Sequence, residues 1–470
     1  MIIGNIADGL TRGVETTLST VSEAFFEPVV RIGVTGLSRS GKTIFITSLV
    51  ANLINRGRMP ALRAAAEGRI QAAWLQPQPD DTVPRFDYES HLAAMTGPDA
   101  AWPEGTTGIS ELRLSFRVRS GGLLGGVTGP KTLHLDIVDY PGEWLLDLGL
   151  LDKDFETWSR ETLSRLENRS EAEIYRSALG NADATRKLDE VAAKSLADAF
   201  GDYLRAARDS GYSDCTPGRF LLPGDLKGSP VLTFAPLPEG SFGRGSLGRE
   251  FSRRFEAYKR QVVQPFFRDH FARIDRQLVL VDVLGAIHAG PKAVEDMRQA
   301  LSDILDAFRP GRNAFLRQIF LGKRVEKILF AATKADHLHH AQHPKLTAIT
   351  EALLADAKSK ADFAGAETGA MSIAALRATT EDQIERDGRT LDVVQGVLQE
   401  TSRRAAFYPG RLPDDPARLL TPARAGEDTW LEADYEVMSF APQPLDLKPG
   451  DGPPHIRLDR AVEFLIGDRL

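Results

Sequence analysis

Residues 36–43, GLSRSGKT, set two glycines, a lysine and a hydroxyl at the spacing G-x-x-x-x-G-K-[ST]. That spacing suits the holding of phosphate. Successive backbone N–H groups point inward around an anion, and glycine lets the backbone approach it closely. Gly36, Ser38, Arg39, Ser40, Gly41, Lys42, Thr43 and Ile44 are therefore expected to wrap the phosphates of a nucleotide. Lys42 would lie against the β- and γ-phosphates, and the Thr43 hydroxyl would ligate Mg²⁺. Arg39 either stabilises charge from within the loop or faces solvent. The metal needs a second anchor, a carboxylate at the end of a neighbouring strand. LDIVDYPGEW (135–144) supplies Asp139 after an apolar run, with Gly142 three residues on. The Gly142 N–H is placed to donate to a γ-phosphate, and the Glu143 side chain to orient an attacking water. Glu143 also brings negative charge near that phosphate, so slow turnover is expected.

The choice of base rests on ILFAATKADHL (328–338). Thr333-Lys334-Ala335-Asp336 resembles the [N/T]-K-x-D base-recognition motif of GTPases. A carboxylate at Asp336 accepts from guanine N1–H and its exocyclic amine together. Adenine offers no such donor pair and would leave the buried carboxylate unsatisfied. Downstream, Ser372-Ile373-Ala374 resembles the short loop whose backbone N–H meets guanine O6. WPEGTTGISELRLSF (102–116) resembles the switch I segment of heterotrimeric G-protein α subunits. Aligned on Gly108, Thr106 is expected to meet Mg²⁺ and sense the γ-phosphate, with Thr107 as the alternative. Where those subunits carry a catalytic arginine, this chain has Pro103.

These residues need rigid elements behind them. PVVRIGVTG reads as a strand feeding the phosphate loop, and TIFITSLVANLI as the helix after it. SELRLSFRV (110–118) and KTLHLDIVD (131–139) alternate as a long hairpin. From 143 to 274 the chain is charged, Ala/Leu-rich and helix-periodic. Strand–helix alternation then resumes at RQLVLVDVLG (276–285), EKILFAATKAD (326–336) and 367–379. The expected fold is α/β, a P-loop NTPase G domain with a mostly parallel sheet. It would carry a large helical insertion after the switch II segment and a small C-terminal extension. The expected division is an amphipathic helix at 1–28, G-domain parts at 29–142 and 275–390, the insertion at 143–274 and the extension at 391–470. In the first segment Ile6, Leu10, Val14, Leu18, Val21 and Phe25 mark an apolar stripe. It suits docking on its own domain, or a partner or membrane surface.

The 470 residues carry a net charge of −7, which argues against nucleic acid as a partner. A single cysteine, Cys215, fits a reducing compartment. No secretory signal or membrane-spanning run is apparent. His337, His339, His340 and His343 cluster after Asp336, and the pair 339/343 has helical metal spacing. With no further ligand arranged, a polar loop is the expectation. Arg249, Arg253, Arg254, Lys259 and Arg260 read as a solvated helix face. Two other functions stay open: an adenine-nucleotide ATPase in which TKAD is a turn, and a non-hydrolysing nucleotide-binding scaffold.

VTGLSRSGKTIFITSLVANL, WPEGTTGISELRL, LDIVDYPGEWLLDL, TKADHL and MSIAALRAT occur in this order along nearly the whole chain. Together they resemble the YcjX-like family of bacterial stress-associated P-loop NTPases. The resemblance implies guanine-nucleotide binding (GTP and GDP, with Mg²⁺), a cytoplasmic location and a link to envelope or heat stress. It also implies an inner-membrane protein partner, hence a peripheral association there.

Overall fold

The computed structural model describes residues 27–37, 40–105, 108–119, 129–167, 169–307, 325–362, 366–386, 388–427 and 438–470. The expected helix at 1–26 lies outside them, as do Ser38, Arg39, Thr106 and Thr107.

VVRIGVTG is rich in β-branched residues and is buried on both faces from Ile32 to Gly36, which requires cover on each side. It forms β1 (Val29–Gly36), the middle of a seven-stranded sheet. Its companions are β2 (Ile70–Gln76), β3 (Ser110–Val118), β4 (Lys131–Asp139), β5 (Arg276–Val281), β6 (Lys327–Ala332) and β7 (Glu367–Ser372), ordered β2-β3-β4-β1-β5-β6-β7. From β4 to β7 the pairing is parallel, while β3 and β2 are antiparallel. The hairpin expected from 110–118 and 131–139 is thus the β3–β4 pair. A second sheet joins β8 (Thr380–Arg386), β9 (Arg389–Val397) and β10 (Arg404–Phe407). The expected boundary at 390 falls inside β9.

Register decides what the sheet presents. Val34 pairs with Asp139, Val281 with Ala332, and Ala332 with Ser372. The carboxyl ends of β1, β4, β5, β6 and β7 therefore align along one edge, where open parallel sheets bind ligands.

Each face has its own cover. Val30, Ile32 and Val34 meet α1 (Lys42–Asn55) and the C-terminal α7 (Leu458–Ile466) in one apolar cluster. The opposite face, with Val138, Val279, Val281 and Phe330, belongs to a larger cluster. That cluster includes α2 (Gly142–Leu146), α3 (Glu190–Asp209), α4 (Leu247–Tyr258), α5 (Pro291–Ala307) and α6 (His343–Asp362). The helices between β4 and β5 thus share one core with the sheet. Its aromatic centre is Trp158, stacked on Phe255 at 4.9 Å and edge-on to Phe234 at 5.5 Å. On α4 the expected solvated face is corrected in part. Arg254 is buried and paired with Glu250 and Glu190, and buried Lys259 donates to the Lys153 carbonyl. Among the described residues, no helix is long and apolar enough to cross a membrane.

Candidate functional site

The phosphate loop leaves β1 by folding tightly on itself. A Cβ added at Gly36 would sit 1.9 Å from Ser40 Oγ, and Gly41 has φ +76°. Leu37 N–H donates to Leu280 O, and Ser40 N–H to Leu37 O. Lys42 then opens α1 and aims its ammonium at Asp139, with Nζ 2.9 Å from Oδ1. Asp139 is 1% exposed and Thr43 6%. A hydroxyl and a carboxylate in a buried polar corner are the hard oxygen donors that Mg²⁺ selects, so these residues fit that ion.

Gly142 presses directly on this loop. A Cβ there would lie 2.3 Å from Gly36 O, so only glycine fits without displacing the loop. Glu143 is 8% exposed and lines a cavity of about 390 Å³ with Lys42, Thr43, Pro103 and Gly105. Burial pushes its carboxyl up, and the charges of Lys42 and Arg208 oppose that shift. Pro103 and Gly105 carry the chain along this cavity toward 106–107.

The helices after β4 clamp the same strip. A Cβ on Gly218 would meet Glu143 O at 2.2 Å. Asp147 accepts from Gly218 N–H at 2.8 Å and from the Tyr258 hydroxyl. Full burial pushes the Asp147 carboxyl up to about 7, against those two hydrogen bonds. The Arg219 guanidinium sits 3.2 Å above the Trp144 ring.

A second cavity of about 370 Å³ shares Ser40, Gly41 and Ile44 with the first and reaches Thr333, Lys334, Asp336 and Ala374. Lys334 adopts φ +60° and pairs with Asp282, which caps the helix after β5 by accepting from Gly285 N–H. Asp336 is 5% exposed, and its Oδ2 accepts from Ala378 N–H at 2.9 Å. Its other oxygen and second lone pair leave capacity for further donors.

The 372–374 loop departs from expectation. The Ser372 hydroxyl is held by His343 O, Thr347 and Arg457, away from the cavity. Ile373 N–H donates to Ala332 O, and Ala374 N–H to Ile456 O. The Ile373 and Ala374 amides of this loop are thus committed, and Ala375 is the next residue of the loop to line the cavity.

Several lining residues carry no sequence signal. Trp102, Gln399, Ser439 and Phe440 wall this second cavity. Trp102 Nε1–H donates to Phe440 O at 2.7 Å, and Phe440 packs edge-on to His337 at 5.2 Å. The histidines separate: buried His343 contacts the Ala335 and Leu338 carbonyls through Nε2. His339 and His340 instead gather at Glu381, which also faces Arg377. The 339/343 metal pair is therefore not formed.

Residues 30–470 match the model of the YcjX-like family, DUF463. A relative from Escherichia coli (strain K12), named Ras-like GTPase YcjX, is 39% identical over 94% of this chain and 96% of its own length. One of the same name from Shewanella oneidensis is 34% identical over 94% of each chain. With the loop, the strand-end carboxylate and the TKAD turn on one sheet edge, and with these matches end to end, the chain belongs to the YcjX-like family.

Proposed function

We propose that this protein binds guanine nucleotide and hydrolyses GTP slowly, as a conformational switch. The observation that carries the reading is the pair of contiguous cavities joined at Ser40, Gly41 and Ile44. One offers Lys42, Thr43 and Glu143 to phosphates; the other offers the Asp336 carboxylate to a base. The relatives' name, Ras-like GTPase, supports the same reading.

In this proposal Gly36–Ile44, with Ser38 and Arg39, cradle the phosphates, and Lys42 exchanges Asp139 for the β- and γ-oxygens. Thr43, Asp139 and Thr106 (or Thr107) hold Mg²⁺, which when bound neutralises charge on the bridging oxygens. Gly142 N–H senses the γ-phosphate, and Glu143 orients the attacking water. Thr333 and Lys334 flank the base, Asp336 accepts from its N1–H and amine, and the donor to O6 passes to Ala375.

The division into 29–142 with 275–390, 143–274 and 391–470 is part of the proposal. Loss of the γ-phosphate frees Gly142 from Gly36, and Gly218 and Arg219 pass that motion to the helices. The proposed setting is a bacterial stress response in the cytoplasm, with a protein partner at the inner membrane. That setting rests on family likeness alone.

Single-turnover phosphate release from Mg²⁺·GTP tests the enzyme reading. Release that disappears in Lys42→Ala is the expected result. Binding without release at any enzyme concentration would leave a nucleotide-binding scaffold.

A further inference from the structure

Among the described residues, those lining the phosphate cavity offer few cations for the transferred group. In the reading above Lys42 turns to the β- and γ-oxygens, and Pro103, which lines the cavity, stands where the G-protein α subunits that its segment resembles carry an arginine. Among the described residues lining that cavity, the other cation is Arg208. It comes from the last turn of α3, in the helices between β4 and β5.

Its setting suits a rigid base with a free arm. Phe200, Leu204 and Ala207, on the same helix, are almost fully buried in the aromatic core, so the backbone under Arg208 is fixed. The side chain itself is a quarter exposed. Its ion pair is a 3.4 Å contact with Asp209, whose side chain is 59% exposed. Such a surface pair is worth about 0–1 kcal/mol and yields readily to a phosphate oxygen. The guanidinium also faces Glu143, the residue placed beside the attacking water.

We propose that Arg208 is a catalytic residue supplied in cis by the helices, contacting the γ-phosphoryl group as GTP is hydrolysed. This rests on the GTPase reading above. In the step, water oxygen bonds to the γ-phosphorus while the bond from phosphorus to the β,γ-bridging oxygen breaks. The electron pair leaves with GDP, and the water proton ends on phosphate or solvent. Arg208 neutralises the charge gathering on the γ- and bridging oxygens, through a planar fork that lysine cannot reproduce. The control point for turnover then lies on the helical segment. A partner that displaces α3 would slow hydrolysis without touching the nucleotide.

The test compares wild type, Arg208→Ala, Arg208→Lys and, on the exposed side of the same helix, Arg205→Ala. Affinity for Mg²⁺·GDP is expected to stay within about threefold in all four. Single-turnover phosphate release should fall roughly 1,000-fold or more in both Arg208 variants, a size typical of a transition-state arginine. Arg205→Ala should match wild type. Mg²⁺·GDP with aluminium fluoride, a mimic of the transferred group, should bind wild type tightly and Arg208→Ala no better than GDP alone. Wild-type rates in Arg208→Ala, or undiminished aluminium fluoride capture, would overturn the assignment and leave the GTPase reading standing. A wild type that releases no phosphate would overturn both.

Discussion

Asp147 shows how one buried carboxyl ties the nucleotide edge to the helices. It accepts from Gly218 N–H and Tyr258, and burial lifts it to about 7. An unfolded aspartate titrates near ~3.9. Between those values the folded chain holds a proton that the unfolded chain has lost. Stability from this group is therefore full below about pH 4 and falls as pH rises toward 7, by up to about 1.4 kcal/mol per pH unit. Glu111 is also lifted to about 7 by burial and adds the same sign. Denaturant unfolding at pH 5 and pH 7 isolates the Asp147 share: Asp147→Asn should show a shallower loss than wild type. At the base cavity, Asp336→Asn keeps an oxygen for Ala378 N–H but loses the acceptor for guanine. GDP affinity should drop by roughly 100-fold or more, and xanthosine diphosphate, which carries an oxygen where guanine has its amine, should gain. Calorimetry reads both. The phosphate loop, Asp139 and the TKAD turn were legible in the sequence because each is a short contiguous spacing. The committed amides of Ile373 and Ala374 were not, because one of their partners, Ile456, lies in the distant tail.

At the scale of elements, the short helix α2 is the joint between phosphate loop and helices. Gly142 touches Gly36 on one side, and Gly218 touches Glu143 on the other, in both cases closer than a Cβ permits. Gly218→Ala should therefore push Glu143 off its position and cost on the order of 1–3 kcal/mol, as overpacking does. Thermal unfolding checks this, with Gly228→Ala as a strained-backbone control where no atom lies near. Strand alternation made β1, β3, β4, β5, β6 and β7 readable. β2 was missed: IQAAWLQ is alanine-rich, mostly half-buried and held at the sheet edge by β3 alone. The β8–β10 sheet left little signal in the sequence, because much of β8 faces solvent and offers little apolar pattern.

Across the whole molecule, the tail from 438 onward works as a strap. Pro453 O accepts from Asn52 on α1, Ile456 bridges Ala374, and α7 lies on the sheet face. Arg276, 1% exposed in its side chain, pairs with Glu326 and draws two further partners, Asp468 and the Leu465 carbonyl, from the tail. Leu465→Ala should cost about 2–5 kcal/mol, measured by denaturant unfolding, because its cavity opens beneath the sheet rather than at a dispensable edge. Sequence periodicity marked this stretch only as an extension, since its partners are all far away along the chain. The tail also walls the base cavity through Ser439 and Phe440, and Trp102 joins that wall to the segment leading to Thr106. The two cavities and the helices thus meet in one connected body, and guanine is the base proposed for it. The most direct measurement is calorimetric titration of nucleotide-free protein with Mg²⁺·GDP and, separately, Mg²⁺·ADP. Tight GDP binding is expected, with ADP weaker by roughly 100-fold or more, because a buried carboxylate then loses its donors. Equal affinities, or a preference for ADP, would contradict it.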